Sequence, residues 1–231
     1  MNLRQDAIAQ LTYDRKTKRY RWKDGNGKGQ FASKQQVTNT LQRHIVEQSK
    51  ELVDLGDRIA EGNLKPWQYE ERAAKILKEI VVAQTLLGVD GYENAIDADW
   101  LESGRFLKTQ YYSGRDPNTG KPFGLRYLIN DFVSDRISAG QLKQRLKLFA
   151  QSGKTAYWQA RKTKMKRDGF TYAKRVLGQA EHCPDCPAYA AMPPQPIDKI
   201  TLPTQNCQCR NNCKCSLVFM SLEQAVQDSW S

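Results

Sequence analysis

The chain has 231 residues, enough to bury a substantial core in one or two domains. Charged residues make up 26% and hydrophobic residues 39%, and no apolar run approaches the ~20 residues that cross a bilayer, so the composition is that of a soluble folded protein. Lysine and arginine number 36 against 25 aspartates and glutamates, a net charge of +11, which favours polyanionic or acidic partners. The opening MNLRQDAIAQ has no apolar signal core, so the chain is expected to be made and kept in a cytoplasm.

Taken in chain order, residues 1–32 are polar and turn-rich. Arg19-Tyr20-Arg21-Trp22, the turn Lys23-Asp24-Gly25-Asn26-Gly27 and Lys28-Gly29-Gln30-Phe31-Ala32 predict a β-hairpin arm. A lone hairpin is marginal in water, so Tyr20, Trp22 and Phe31 are expected to pack on a neighbouring subunit. Ser33-Lys34-Gln35-Gln36 is a capping-box pattern that starts a helix with Val37, Leu41, Ile45, Leu52, Leu55 and Ile59 on one face, stopped near Gly62. Pro66 opens a second helix, where its missing N–H costs nothing. Trp67, Ala73, Leu77, Ile80 and Leu87 form its stripe, and Gly88 ends it.

A third helix is expected over 97–112, burying Trp100, Leu101, Phe106 and Leu107. The run Ser113 to Gly120 is a loop. A short helix over 126–137 would turn Tyr127, Leu128, Phe132 and Val133 inward. Ser138-Ala139-Gly140-Gln141 repeats the capping box and starts the longest helix, over 141–168. Leu142, Leu146, Phe149, Ala156, Tyr157 and Ala160 would face its core, with Gly153 a weak point of about 1 kcal/mol. After Gly169 the texture changes to β-like segments at 170–177 and 216–220, separated by six prolines that exclude any long helix. The chain therefore reads as mainly α: a hairpin arm (1–32), a helical body (33–168) and a cysteine-rich module (169–231) of α+β character.

The stretch from Lys143 to Arg175 holds eleven basic residues and one acidic one, Asp168. Lys143, Lys147, Lys154, Arg161 and Lys162 would largely face out, and with Lys164, Lys166 and Arg167 they form a candidate surface for DNA, RNA or an acidic protein; the plainer reading is a solvated helix face.

All six cysteines lie between Cys183 and Cys215. Such clustering in a chain without a signal core points to a metal rather than a disulfide framework. Cys183-Pro184-Asp185-Cys186 places two thiolates on one side of a tight turn, and twenty residues separate it from Cys207-Gln208-Cys209-Arg210-Asn211-Asn212-Cys213-Lys214-Cys215. Cys183 and Cys186 are the first two expected zinc ligands, and two of Cys209, Cys213 and Cys215 complete the set. Cys207 looks spare, with a disulfide or free thiols absorbing the remainder, and His182 is an alternative ligand. Flanking strands should hold the two knuckles together, and Lys174, Arg210 and Lys214 are candidates to offset the thiolate charge. No glycine-rich phosphate loop, H-E-x-x-H or G-x-S-x-G is present, and the reading is that of a non-enzyme.

The stretch from Gln144 to Phe219 resembles the C-terminal part of minor head or head-morphogenesis proteins of tailed phages, the group related to the F protein of phage Mu. The pieces that carry it are Tyr157-Trp158, Arg175-Val176-Leu177-Gly178, His182-Cys183-Pro184-Asp185-Cys186, Pro196-Ile197-Asp198, Leu202-Pro203 and Cys209 through Cys215. Many of that group end in N-C-R-C preceded by a histidine; here Asn212-Cys213-Lys214-Cys215 follows Cys209 instead. The resemblance implies a structural virion protein of the head–portal–neck region, assembled in the host cytoplasm, ring-forming, touching the portal and lying near packaged DNA. The other class that fits the residues is a soluble phage or prophage zinc protein that binds nucleic acid.

Overall fold

A computed structural model describes residues 12–14, 17, 19–23, 28–115, 120 and 122–229. Helix α1 (Lys34–Ala60) begins where the capping box places it. The Gln36 N–H donates to Ser33 Oγ at 3.2 Å, and the Ser33 N–H donates to Gln36 Oε1 at 2.8 Å. Val37, Leu41, Ile45, Leu52, Leu55 and Ile59 are buried as one stripe. Gly62 (φ +73°) reverses the chain into α2 (Pro66–Gly88), which buries Tyr69, Ala73, Ile76, Leu77, Ile80 and Val81. Helices α3 (Asp97–Lys108) and α4 (Leu125–Val133) follow, α3 passing into a π-helical turn at Thr109–Ser113. Helix α5 (Ala139–Arg167) starts on the second capping box, with Ser138 and Gln141 bonded at 2.8 and 3.3 Å.

Helices α1, α2 and α5 share one core, which α4 closes with Leu125, Leu128 and Ile129. Several sequence expectations need correction here. Trp67 is 61% exposed: it sits in the first turn of α2, and Tyr69 is the residue turned inward. Leu101 is exposed, on the side of α3 opposite the face on which Asp99 and Ser103 meet the bundle. On α4 the buried stripe runs Leu125, Leu128, Ile129, so Tyr127 and Val133 face solvent. Gly153 is no weak point but a close approach: a Cβ there would lie 2.6 Å from Ile80 Cγ2. Gly56 and Gly88 do the same work, the latter with the Tyr157 carbonyl oxygen at 2.6 Å.

The N-terminal hairpin is present as β2 (Arg19–Lys23) against β3 (Gly29–Ser33), with Tyr20 opposite Ala32. A further strand, β1 (Thr12–Asp14), pairs with β2. The turn 24–27 and the side chain of Trp22 lie outside the described residues. Tyr20 is 4% exposed and packs in the chain's own core with Ala32 and Val37, so its expected role as a subunit contact is corrected: α1 supplies the surface the hairpin needs. Phe31 is exposed, with the Arg21 guanidinium 5.3 Å from its ring centre. Short strands β4 (Gly114–Arg115) and β5 (Pro122–Phe123) flank a loop whose residues 116–119 are outside the description.

Past α5 the chain turns at Gly169 (φ +94°) into an antiparallel sheet ordered β7-β6-β8. Its strands are β6 (Tyr172–Val176), β7 (Gln195–Pro196) and β8 (Ser216–Met220), with short helices α6 (Asp185–Ala191) and α7 (Leu222–Ser229). Ala173, Ile200, Leu202 and Leu217 form a small core, against which Trp158 of α5 packs. Helix α5 is thus common to the bundle and the module. Among the described residues no helix is long and apolar enough to cross a membrane.

The glycine contacts yield a test. Gly88→Ala places a methyl against backbone and should cost about 1–3 kcal/mol despite alanine's better helix propensity. Gly104→Ala, in open space on α3, should gain up to about 1 kcal/mol. Urea unfolding of both variants checks this; a Gly88→Ala variant as stable as Gly104→Ala would show that the helices are not in close contact there.

Candidate metal centre

Strand β6 leads into the first knuckle and β8 leaves the second, as the flanking β-like segments suggest. Gly178 lets the two segments meet, since a Cβ there would lie 2.3 Å from the Lys214 carbonyl oxygen. In the first knuckle the Cys186 N–H donates to the Cys183 carbonyl at 3.1 Å. In the second, the Arg210 N–H donates to the Cys207 carbonyl at 2.9 Å and the Cys213 N–H to the Arg210 carbonyl at 3.0 Å, curling the loop into a 3-10 turn. Asp185 ties the knuckles together by accepting the Gln208 N–H at 2.8 Å. Tyr189 does so by donating its hydroxyl to the Asn206 carbonyl at 2.8 Å. Helix α5 anchors the second loop from below through Lys154 to the Asn211 carbonyl, Asn211 to the Leu148 carbonyl, and Thr155 to Thr204.

These turns bring all six thiols into one cluster, and each is free. Sulfur separations are 3.5 Å for Cys183–Cys186, 3.4 Å for Cys186–Cys209, 3.5 Å for Cys207–Cys209 and 3.9 Å for Cys186–Cys213. A disulfide bond is about 2.05 Å, whereas the edge of a zinc–sulfur tetrahedron with 2.3 Å bonds is about 3.8 Å. The spacing is therefore that of metal ligands around a common centre. The Sγ atoms of Cys186, Cys207, Cys209 and Cys213 lie within 4.8 Å of one another, and His182, Cys186 and Cys215 form a second such group. The cluster can hold a metal ion.

The structure brings some of the expected ligands together. Cys186, Cys209 and Cys213 come together as expected, and Cys183 contacts Cys186 and Cys209 at the edge of their group. Cys207 is not spare: it is 6% exposed and belongs to the four-thiol group. Left-handed backbone at Asn206 (φ 49°) and Arg210 (φ 43°) swings it inward, a feature that spacing alone does not show. Cys215 falls with His182 rather than with the four.

The counter-charge is also different from the expectation. Lys174 pairs with Asp228, while Arg210 and Lys214 are exposed. Arg175, one residue along β6 and on the opposite face, is 1% exposed. Its Nη2 donates to Cys213 Sγ at 3.1 Å and to Cys207 Sγ at 3.5 Å, and its guanidinium lies 4.8 Å from the centre of the Tyr189 ring. Its Nε and Nη1 have no partner among the described residues. Burial works against the Arg175 charge, but hydrogen bonds and attraction from Cys213 and Cys207 raise its pKa. Burial likewise pushes the Cys213 thiol up, yet N–H groups of Thr204 and Cys215 together with Arg175 bring it down to about 6. A buried guanidinium with neutral thiols for neighbours is costly, while thiolates fixed by a metal supply the negative charge it needs. The residues present fit the metal.

Most of the basic run is paired within the chain, partly at the surface. Lys143 pairs with Asp57 at 2.8 Å, Arg161 with Asp90 at 2.6 Å, Lys166 with Asp198 at 2.7 Å and Arg167 with Asp99 at 2.9 Å. Lys164 is buried between Asp168 and Asp90, Lys154 is half-buried against the Asn211 carbonyl, and Lys162 reaches the Asp198 carbonyl. Lys147 is exposed, with no such partner among the described residues. Of this face Lys147, Lys166 and Arg167 are exposed, as expected, whereas Arg161 and Lys164 are drawn in by Asp90, and Lys143, Lys154 and Lys162 are half-buried.

Arg175→Met keeps most of the volume and removes the charge, so it should destabilise the module by about 3–5 kcal/mol and speed metal loss to a chelator. Arg167→Ala should cost about 3 kcal/mol in the bundle, because the Asp99 side chain, 0% exposed, would be left buried without its cationic partner. Denaturant unfolding reads both; wild-type stability in either variant would contradict the corresponding pair.

No family model matches the chain, and neither a curated protein nor a solved structure matches it.

Proposed function

We propose that the chain is a structural component of a tailed-phage virion in the head–portal–neck region, with a zinc-stabilised C-terminal module. The observation that carries this reading is the convergence of the residues on which the phage resemblance rests. Trp158 packs on the module core beside Leu202. Arg175 serves the thiols, and Gly178 admits the second knuckle. The Ile197 N–H donates to the Thr171 carbonyl at 2.8 Å, and Asp198 receives Lys166. Segments spread from Trp158 to Cys215 thus form one module, in which β6 joins a small apolar core at Ala173 to the thiol cluster at Arg175, which is how a shared structural unit would distribute its requirements.

Zinc is the ion of choice because its filled d shell imposes no other geometry and its structural sites are closed tetrahedra of thiolates and imidazoles. Cys186, Cys207, Cys213 and Cys215 are all buried, the hallmark of an ion that holds structure rather than one that leaves a position open for substrate. A non-catalytic role follows. Portal, sibling subunits and packaged DNA are the partners in this reading, with exposed Phe31 and Lys147 as the available contact residues from the hairpin and the basic helix.

The test is mass spectrometry of purified particles from the phage or prophage that encodes the chain. The protein should co-purify with heads and with the portal, and Phe31→Ser should fold normally yet incorporate less. Abundant chain in the lysate but none in particles would sink the virion reading. Salt-sensitive DNA retention by the free protein would then favour the soluble nucleic-acid binder.

A further inference from the structure

We infer that the cysteine cluster is a two-metal centre in which the Cys186 thiolate bridges the ions. This deepens the zinc reading above and rests on it.

The first argument is geometric. In a single tetrahedron each vertex has three neighbours. Cys186 has four sulfur neighbours: Cys183, Cys209 and Cys213 at 3.5, 3.4 and 3.9 Å, and Cys215, with which it shares a hydrogen bond. It is also the residue common to the two donor groups, one with Cys207, Cys209 and Cys213, the other with His182 and Cys215. A sulfur that belongs to two donor sets and is 0% exposed sits where two tetrahedra share a corner.

The second argument is the donor count. Two tetrahedral ions need eight coordination positions. Six thiolates and one imidazole are seven donors, and one bridging thiolate makes 6 + 1 + 1 = 8. Cys207, Cys209, Cys213 and Cys186 take the first ion. Cys186, Cys215 and His182 take the second, and its fourth position falls to Cys183, the thiol that belongs to neither group and that touches Cys186 and Cys209. A single ion would leave two thiols and the imidazole idle beside it.

The imidazole supplies a third, independent observation. His182 Nε2 lies 2.8 Å from the Gly178 carbonyl oxygen, which can only accept. Nε2 therefore donates in this bond, which leaves Nδ1 as the nitrogen available to a metal. A metal-bound histidine is commonly oriented in this way, by a backbone carbonyl on its other nitrogen. Charge is consistent as well: two divalent ions and six thiolates sum to 4 − 6 = −2, the same as one ion with four thiolates, and Arg175 halves it in both cases. The second ion thus adds no uncompensated charge to a buried site.

The experiment uses the full chain produced in zinc-replete cells, with zinc counted by elemental analysis and by native mass spectrometry. Two zinc ions per chain are expected. After exchange into cadmium-113, two resonances should appear, split by coupling through the shared sulfur. Because Cys186→Ser is prone to misfold, the deciding variants are His182→Ala and Cys215→Ser, each expected to fall towards one ion while β6 and β8 stay folded. One zinc per parent chain overturns the two-metal inference and leaves the single structural zinc standing. No zinc overturns both. Two ions without cadmium coupling, or two ions retained in both variants, overturns the bridged assignment.

Discussion

A positive charge buried in a sheet governs the C-terminal third of the molecule. Arg175 points from β6 into a space walled by Cys207, Cys213 and the Tyr189 ring, with solvent almost excluded. A guanidinium does not lose its proton, so its surroundings must supply the opposite charge. Thiolates held by a metal do so without needing water. The cluster and the arginine therefore depend on each other, and the sheet, the two knuckles and α6 are arranged around that dependence.

The same logic, in milder form, joins the module to the bundle. Helix α5 presents its apolar face to α1 and α2 and its far half to the sheet through Trp158. Its many cations would repel one another if left bare, but Asp90, Asp99 and Asp198 reach it from the loop after α2, the start of α3 and the module. Asp99 works twice: one carboxylate oxygen accepts the Ile96 N–H at 3.0 Å, starting α3, and the other takes Arg167. Close approach at Gly56, Gly88 and Gly153 lets the helices come near enough for these pairs to form. The cysteine module is thereby seated on a helix that it shares with the bundle.

Much of this was legible from local chemistry. Ser33 and Ser138 announced two helix starts because a capping box is written within four residues. Ser221-x-x-Gln224 is the same signal and closes the same pair of hydrogen bonds ahead of α7, a helix that the strand reading of 216–220 left unnoticed. The thiol cluster was legible because cysteines are rare and their clustering is local. What stayed hidden depends on partners far along the chain. Cys207 looked redundant because spacing says nothing about the left-handed turns that rotate it inward. Arg175 was visible as a basic residue, but its alternation with buried Ala173 was the clue that it faces inward. The basic run read as a bare face because most of its carboxylate partners lie tens of residues away. Tyr20 looked unsupported because the helix that covers it comes later in the chain.

The central claim is that the C-terminal module owes its fold to bound metal while the helical bundle stands on its own apolar core. Amide hydrogen exchange on the full chain, with and without a zinc chelator, tests it most directly. The account predicts that chelation strips protection from Tyr172–Val176 and Ser216–Met220 while the amides of Pro66–Gly88 remain protected. Protection of the two strands that survives complete removal of metal would contradict it.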